Sequence, residues 1–243
     1  MQLSWVAVIL LALGGLSLLA YALGALDLLG AVASFFLGLL VSLNAGLDWM
    51  FLLVVFTGLG FIATRLGYKE KKARALAEGE AGERGVANVM GNGAAAALIV
   101  LALNLHFARL PVMLAYTSAV AAVCADTLAS EIGALSPRAR LIIPPFRVVR
   151  TGDNGGISWA GQFAALGGAI AIAVAAELLM HLPNRYVWIP IVAGFAGCQI
   201  DSVLGATMER DPSKPGPLSK QDVNFVASVI PALVVLALGA AVW

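Results

Sequence analysis

Acidic side chains occur in this chain inside stretches that are otherwise apolar. Residues 124–133, CADTLASEIG, carry Asp126 and Glu131, and residues 197–210, GCQIDSVLGATMER, carry Asp201 beside Ser202. A charged group within a membrane segment is expensive and normally faces protein, water or a bound ion. Five positions correspond to about 140° around a helix, so Asp126 and Ser130 share one stripe while Thr127 and Glu131 share another. Both acids reach a single ion only if the helix ends or bends near Gly133. The alternative for either is an ion pair with an arginine of the segment that follows. DTLAS and DSVLG both read Asp, hydroxyl, two apolar residues, small. Carboxylates from two helices around a common centre suit magnesium, which takes oxygen ligands and bridges one or two carboxylates to substrate phosphates. Asp126, Glu131 and Asp201 are the candidate ligands.

A second constellation lies just downstream. The stretch TGDNGGIS comprises Thr151, Gly152, Asp153, Asn154, Gly155, Gly156, Ile157 and Ser158. Its glycines let the backbone turn sharply and present amides at close range, an anion nest or an ordinary turn. Ser158 is placed to cap the helix that follows, whose N-terminus favours phosphate. Arg138, Arg140, Arg147 and Arg150 supply planar donor forks matched to phosphate oxygens. An earlier polar stretch, 66–87, brings Lys69, Lys71, Lys72, Arg74 and Arg84. Its lysines serve membrane topology as readily as a ligand. Asn88 and Asn92, four apart on one helical face, are stronger candidates, and Asn224 lies beside the same membrane face. There is no Gly-x-x-x-x-Gly-Lys-Ser/Thr string, and His106 and His181 build no nucleophile–base pair. Carboxylates, amides, arginines and a glycine turn suit phosphoryl transfer, where the protein positions phosphates and offsets charge. They would also suit a transporter of a phosphorylated lipid.

These groups need elements to hold them, and composition says which. Of 243 residues, 60% are hydrophobic and 12% charged, with a mean hydropathy of +0.92. A soluble domain carries about twice that charge. Eight apolar runs, about 3–21, 26–43, 47–65, 88–106, 112–133, 158–181, 187–207 and 223–242, approach the roughly 20 residues that cross a bilayer. They are continuous rather than alternating, which selects helices over a β-barrel. The expected fold is an all-α, polytopic bundle of about eight spans forming one integral membrane domain over 1–243. The glycine-punctuated second run leaves a re-entrant hairpin open near the N-terminus. Of 15 Lys and Arg residues, only Arg109 and Arg185 fall on one side of this topology. The others, Lys214 and Lys220 included, fall on the opposite side, which the positive-inside rule makes cytoplasmic. The cell membrane is the expected location, with the polar loops 66–87, 134–157 and 208–222 facing the cytoplasm. A net charge of +1 gives no footprint for nucleic acid. Cys124 and Cys198 sit in apolar runs and read as small buried side chains.

Together, GERGVANVMGNG, ADTLASEIG, PRARLIIPPFRVVRTGDNGGIS and GFAGCQIDSVLGA resemble the DUF92, or TMEM19-like, family of integral membrane proteins. The resemblance covers about residues 25–242 with the motif order preserved. The family's plant chloroplast branch includes the phytyl-phosphate kinase of tocopherol synthesis. What the resemblance implies is phosphorylation of an isoprenyl monophosphate to its diphosphate, with Mg2+ and a nucleoside triphosphate, CTP foremost, as co-substrate. The family motifs mark Arg84, Asn88, Asn92 and Gly93, then Asp126, Thr127, Ser130 and Glu131, then Asn154, Gly155 and Gly156, then Asp201, Ser202 and Gly205. The family's usual GTNGG reads here as Gly152-Asp153-Asn154-Gly155-Gly156. Asp153 therefore stands where the family has threonine, as a turn cap or a further metal ligand. The expected partners are membrane lipid, the isoprenyl monophosphate and the nucleotide. The alternative function is transport or flipping of a phosphorylated isoprenoid lipid.

Overall fold

A computed structural model describes residues 3–79, 81–210 and 215–242; Lys214 lies outside the described residues. The eight apolar runs are helices: α1 (Leu3–Ala22), α2 (Leu28–Asn44), α3 (Leu47–Arg65), α5 (Val86–Ile99), α6 (Arg109–Gly133), α7 (Trp159–Met180), α8 (Trp188–Thr207) and α9 (Lys220–Val242). A six-residue helix, α4 (Tyr68–Ala73), lies in the first polar loop, and a 3-10 turn, Val100–Leu105, extends α5. Seven of these segments are long and apolar enough to cross a membrane, and α2 is a shorter apolar helix. The protein is an all-α polytopic membrane protein.

Side-chain size decides which helix lies inside. α6 is almost entirely buried and touches α3, α5, α7, α8 and α9. Its sequence is dominated by Ala, Ser, Thr and Cys, which let neighbouring backbones come close, as membrane helices require when hydrophobicity alone cannot drive association. On α8, Gly194 and Gly197 supply the complementary absence of side chains. A Cβ at Gly194 would lie 2.6 Å from Ala121 Cβ, and one at Gly197 2.5 Å from Ala122 Cβ. The leucine-rich helices surround this core. α1 is the least buried of the long apolar helices, and Leu11 and Leu18 point outward as lipid-facing side chains.

The ends of the helices alternate as the spans require. Leu26, between α1 and α2, forms a parallel bridge with Arg84, so the first polar loop and the α1–α2 turn share one face. Arg109 lies 3.8 Å from Asp48 at the other face. Asp27 marks a span boundary by capping α2, its carboxylate accepting from Gly30 N at 2.6 Å.

The insert between α6 and α7 is more than a turn. It folds into three short antiparallel strands, β1 (Ala139–Leu141), β2 (Val148–Val149) and β3 (Gly156–Ile157), in the order β2-β1-β3. Arg140 pairs with Val148 on one side and Ile157 on the other. Strands this short show no readable alternation, which is why the segment reads only as a polar loop.

Candidate active site

The close packing of α6 on α8 brings Asp126 and Asp201 together. Their carboxyl groups are within hydrogen-bonding reach of each other, and Cys198 Sγ is 4.0 Å from Asp126 Oδ1. Two carboxyl groups this close are held together by a shared proton or by a cation between them. Asn224 of α9 extends the cluster. With its amide nitrogen facing acceptors, it donates to Asp201 Oδ2 at 3.2 Å and to the Lys220 carbonyl at 3.0 Å. Its other side-chain atom lies 3.0 Å from the Asn92 amide of α5. Four helices thus contribute one side chain each to a continuous polar chain, Asn92–Asn224–Asp201–Asp126.

This chain opens into a cavity of about 360 Å³ at the polar face. The glycine turn forms one wall. Gly155 has φ +75°, and a Cβ there would lie 2.7 Å from the Ser202 carbonyl, so only glycine lets the turn dock on α8. Gly205 is its counterpart on the helix: a Cβ on it would come within 3.3 Å of Gly155 N. Asp153 caps the turn, its Oδ2 accepting from Arg150 N at 3.0 Å. Thr151 Oγ1 ties the turn to the Ser136 carbonyl at 3.0 Å. Ser158 caps α7 as its position implies, accepting from Gly161 N at 3.1 Å, and aims that helix N-terminus at the cavity.

Glu131 lines the same cavity but is engaged elsewhere. α6 stays helical to Gly133, and the Thr127–Glu131 stripe faces α3 while Asp126 and Ser130 face α8 and the cavity. Glu131 accepts from Lys71 Nζ at 2.5 Å and from Thr64 Oγ1 at 2.6 Å, and Arg84 Nη2 lies 3.5 Å from it. Lys71 has no exposed surface. Arg84 also donates to Thr64 at 3.2 Å, in a notch left by Gly60, where a Cβ would lie 2.5 Å from its Nη1. Thr127, buried, packs against the same notch. Glu78 completes the rim, accepting from Asn88 Nδ2 at 2.5 Å with Lys220 Nζ at 3.5 Å. Burial pushes the Glu78 carboxyl up, but the charges of Lys220 and Arg84 and the Asn88 amide outweigh it, leaving it below the usual 4.5.

The expected residues therefore separate into groups. Asp126, Ser130, Asp201, Ser202, Gly205 and the turn 152–156 with Ser158 line the cavity. Asn88, Asn92, Gly93 and Arg84 line a second, apolar groove of about 310 Å³ between α1, α2, α3 and α5. Arg147 and Arg150 flank β2, exposed and away from the cavity lining. Thr64, Glu78, Lys220 and Gln162 carry no sequence signal as site residues, and Lys71 stands only among the lysines of its loop. Nothing in the run KEKK distinguishes Lys71 from its neighbours, since only the return of α4 onto α6 buries it.

Known proteins give this geometry a context. An uncharacterized membrane protein of Methanocaldococcus jannaschii is 31% identical over 209 residues, covering 86% of this chain and 84% of that protein. Protein PGR of Arabidopsis thaliana is 28% identical, covering 87% and 88% of the two chains. Protein VTE6, chloroplastic, of the same plant is 25% identical over 74% of this chain and 55% of its own length. No solved structure matches. The profile described as Integral membrane protein DUF92 matches residues 11–232, and the chain belongs to that family.

Proposed function

We propose that the protein is a magnesium-dependent kinase that uses CTP or another nucleoside triphosphate to convert an isoprenyl monophosphate into its diphosphate. The observation that carries this reading is the meeting of Asp126 and Asp201 on the wall of a polar cavity that backs onto an apolar groove. The donor set fits a magnesium ion. Among the described residues no three His, Cys, Asp or Glu side chains gather into a cage, whereas magnesium commonly takes one or two carboxylates and completes its shell with water and phosphate. Asp126 and Asp201 would hold it, and bound there it would neutralise charge on the nucleotide phosphates.

The remaining work falls to the chain itself. The capped start of α7 and the amides of the 152–156 turn receive nucleotide phosphate oxygens. Lys220, on the cavity wall beside Glu78, adds a positive charge. An oxygen of the acceptor phosphate attacks the terminal phosphorus of the nucleotide. A P–O bond forms there, the bond to the bridging oxygen breaks, and the nucleoside diphosphate leaves with that electron pair. The acceptor is already ionised, so no strong general base is required, in keeping with histidines remote from the cavity. Arg84, in contact with the groove and the Glu131 cluster, faces the acceptor phosphate and offsets charge as the two anions approach. The family's plant chloroplast branch, to which the motifs bear resemblance, supports the choice of acceptor. The test is purified protein in detergent or lipid, given CTP, ATP, GTP or UTP with phytyl, geranylgeranyl or farnesyl monophosphate. Magnesium-dependent diphosphate formation is expected; no product from any pairing would remove the kinase reading.

A further inference from the structure

The apolar groove has a polar end, a closed end and a single course between them. Arg84, Asn88 and Asn92 stand at the polar end. On α3 the lining runs from Phe61 to Met50, about 16 Å at 1.5 Å per residue, and along α1 it runs from Ala20 to Leu13, with Leu23 of the turn that follows above it. The far end is shut. Leu13 and Met50 are both buried, and they close over Gly38, where a Cβ would lie 2.6 Å from Leu13 Cδ2 and 3.5 Å from Met50 Cγ. We propose that this groove binds the apolar chain of a single-chain lipid phosphate, and that Leu13 and Met50 set the longest chain it accepts.

Charge selects the head. In the buried cluster two cations, Lys71 and Arg84, share one carboxylate, Glu131. That leaves a net positive charge in a region of low dielectric, and an anion at the groove mouth compensates it. Asn92 lines both the groove and the small cleft that contains Asp126, Asp201 and Asn224, so a head at this end is presented to the acid pair. The wall formed by α1, the least buried long helix, gives the chain a lateral way in from the bilayer. A seam filled by bulk acyl chains would need neither the cation nor the closed floor. The identity of the head as an acceptor rests on the kinase reading; the groove and its floor do not.

Gly58 makes the test clean. It lines the groove, and a Cβ there meets no atom within 4 Å, so a side chain can start from this position without meeting a wall, and Gly58→Phe narrows the groove. Binding of geranyl, farnesyl, geranylgeranyl and phytyl monophosphates is measured by calorimetry on folded, detergent-purified protein, without nucleotide. Gly58 stands three residues from Phe61 and eight from Met50, toward the polar end, so Gly58→Phe should weaken all four ligands by about tenfold or more, the worth of roughly two buried methylenes. Leu13→Ala should shift the preference toward longer chains, and it decides the matter alone if Gly58→Phe does not fold. Unchanged affinities in folded Gly58→Phe, or an unchanged chain-length profile in folded Leu13→Ala, would overturn the proposal. So would phosphatidylcholine competing as well as geranylgeranyl monophosphate. Chain-length-dependent binding with no diphosphate from any nucleotide would sink the kinase reading and leave the groove standing; diphosphate formation with an unchanged profile would do the reverse.

Discussion

Replacing Asp126 or Asp201 with Asn keeps size and some hydrogen bonding but removes a negative oxygen ligand. Each variant is expected to insert and fold, yet to lose about a hundredfold or more in turnover, as removal of a key electrostatic group commonly does. Any residual activity should need more magnesium. Melting temperature read beside diphosphate formation across a magnesium titration checks this, and near-normal turnover with unchanged magnesium dependence would dismiss the ion site. Glu131 is expected to behave differently because its carboxylate already holds Lys71 at 2.5 Å in a buried pair. Glu131→Gln strands that lysine and should cost about 3–5 kcal/mol, seen as a large drop in melting temperature. Lys71→Met added to it should restore much of the loss, because the buried charge is then gone. A stable Glu131→Gln protein that lacks only magnesium dependence would instead make Glu131 a ligand. That Asp126 and Glu131 lie on different helical stripes was legible in their five-residue spacing. That the second stripe meets α3 and a buried lysine was not.

Among the elements, the 151–156 turn carries the sharpest expectation. Gly155→Val must adopt a φ of +75° and would collide with Ser202 and Ala206 of α8. Nucleotide binding by calorimetry should fall sharply while membrane insertion is kept; unchanged affinity for every nucleotide would take the turn out of the site. The rim formed by Glu78, Asn88 and Lys220 joins the first polar loop to α5 and α9, and it carries a pH signature. Because the folded Glu78 carboxyl titrates below the usual 4.5, its contribution to stability is fully present above that value and is lost as pH falls through the folded value. Wild type should therefore lose melting temperature more steeply than Glu78→Gln as the medium is acidified below about pH 4.5. Parallel acid limbs would show that the rim contributes nothing. The Ser158 cap was readable because a capping serine ahead of an apolar run has a local mechanism. The three strands were not, because two or three residues carry no period.

For the whole molecule, the alternation of helix ends and the clustering of the polar loops predict one accessible face. Cysteines introduced at Ala75 and Arg140, both exposed, should react with an impermeant thiol reagent from the cytoplasmic side only. One introduced at Ala108 should react from the opposite side. The opposite labelling pattern would invert the orientation drawn from the lysines and arginines, without altering the bundle.

By itself the sequence determined the features that depend on local or summed properties. Apolar runs of membrane length specify helices because every backbone group in lipid must be bonded within its own segment. With the 3-10 turn Val100–Leu105 counted into α5, their ends fall within about three residues of the boundaries read from hydropathy. The acids, the glycine turn and the paired asparagines were legible because their residue types are costly or conformationally special where they stand. Tertiary structure alone decided which of them meet. Asp126 finds Asp201 because Gly194 and Gly197 let α8 press against Ala121 and Ala122, while Arg147 and Arg150, on either side of β2, remain exposed and outside the cavity lining. Partnership depends on which faces pack, and that is fixed by side-chain volume summed over several helices, a property no single stretch of sequence contains.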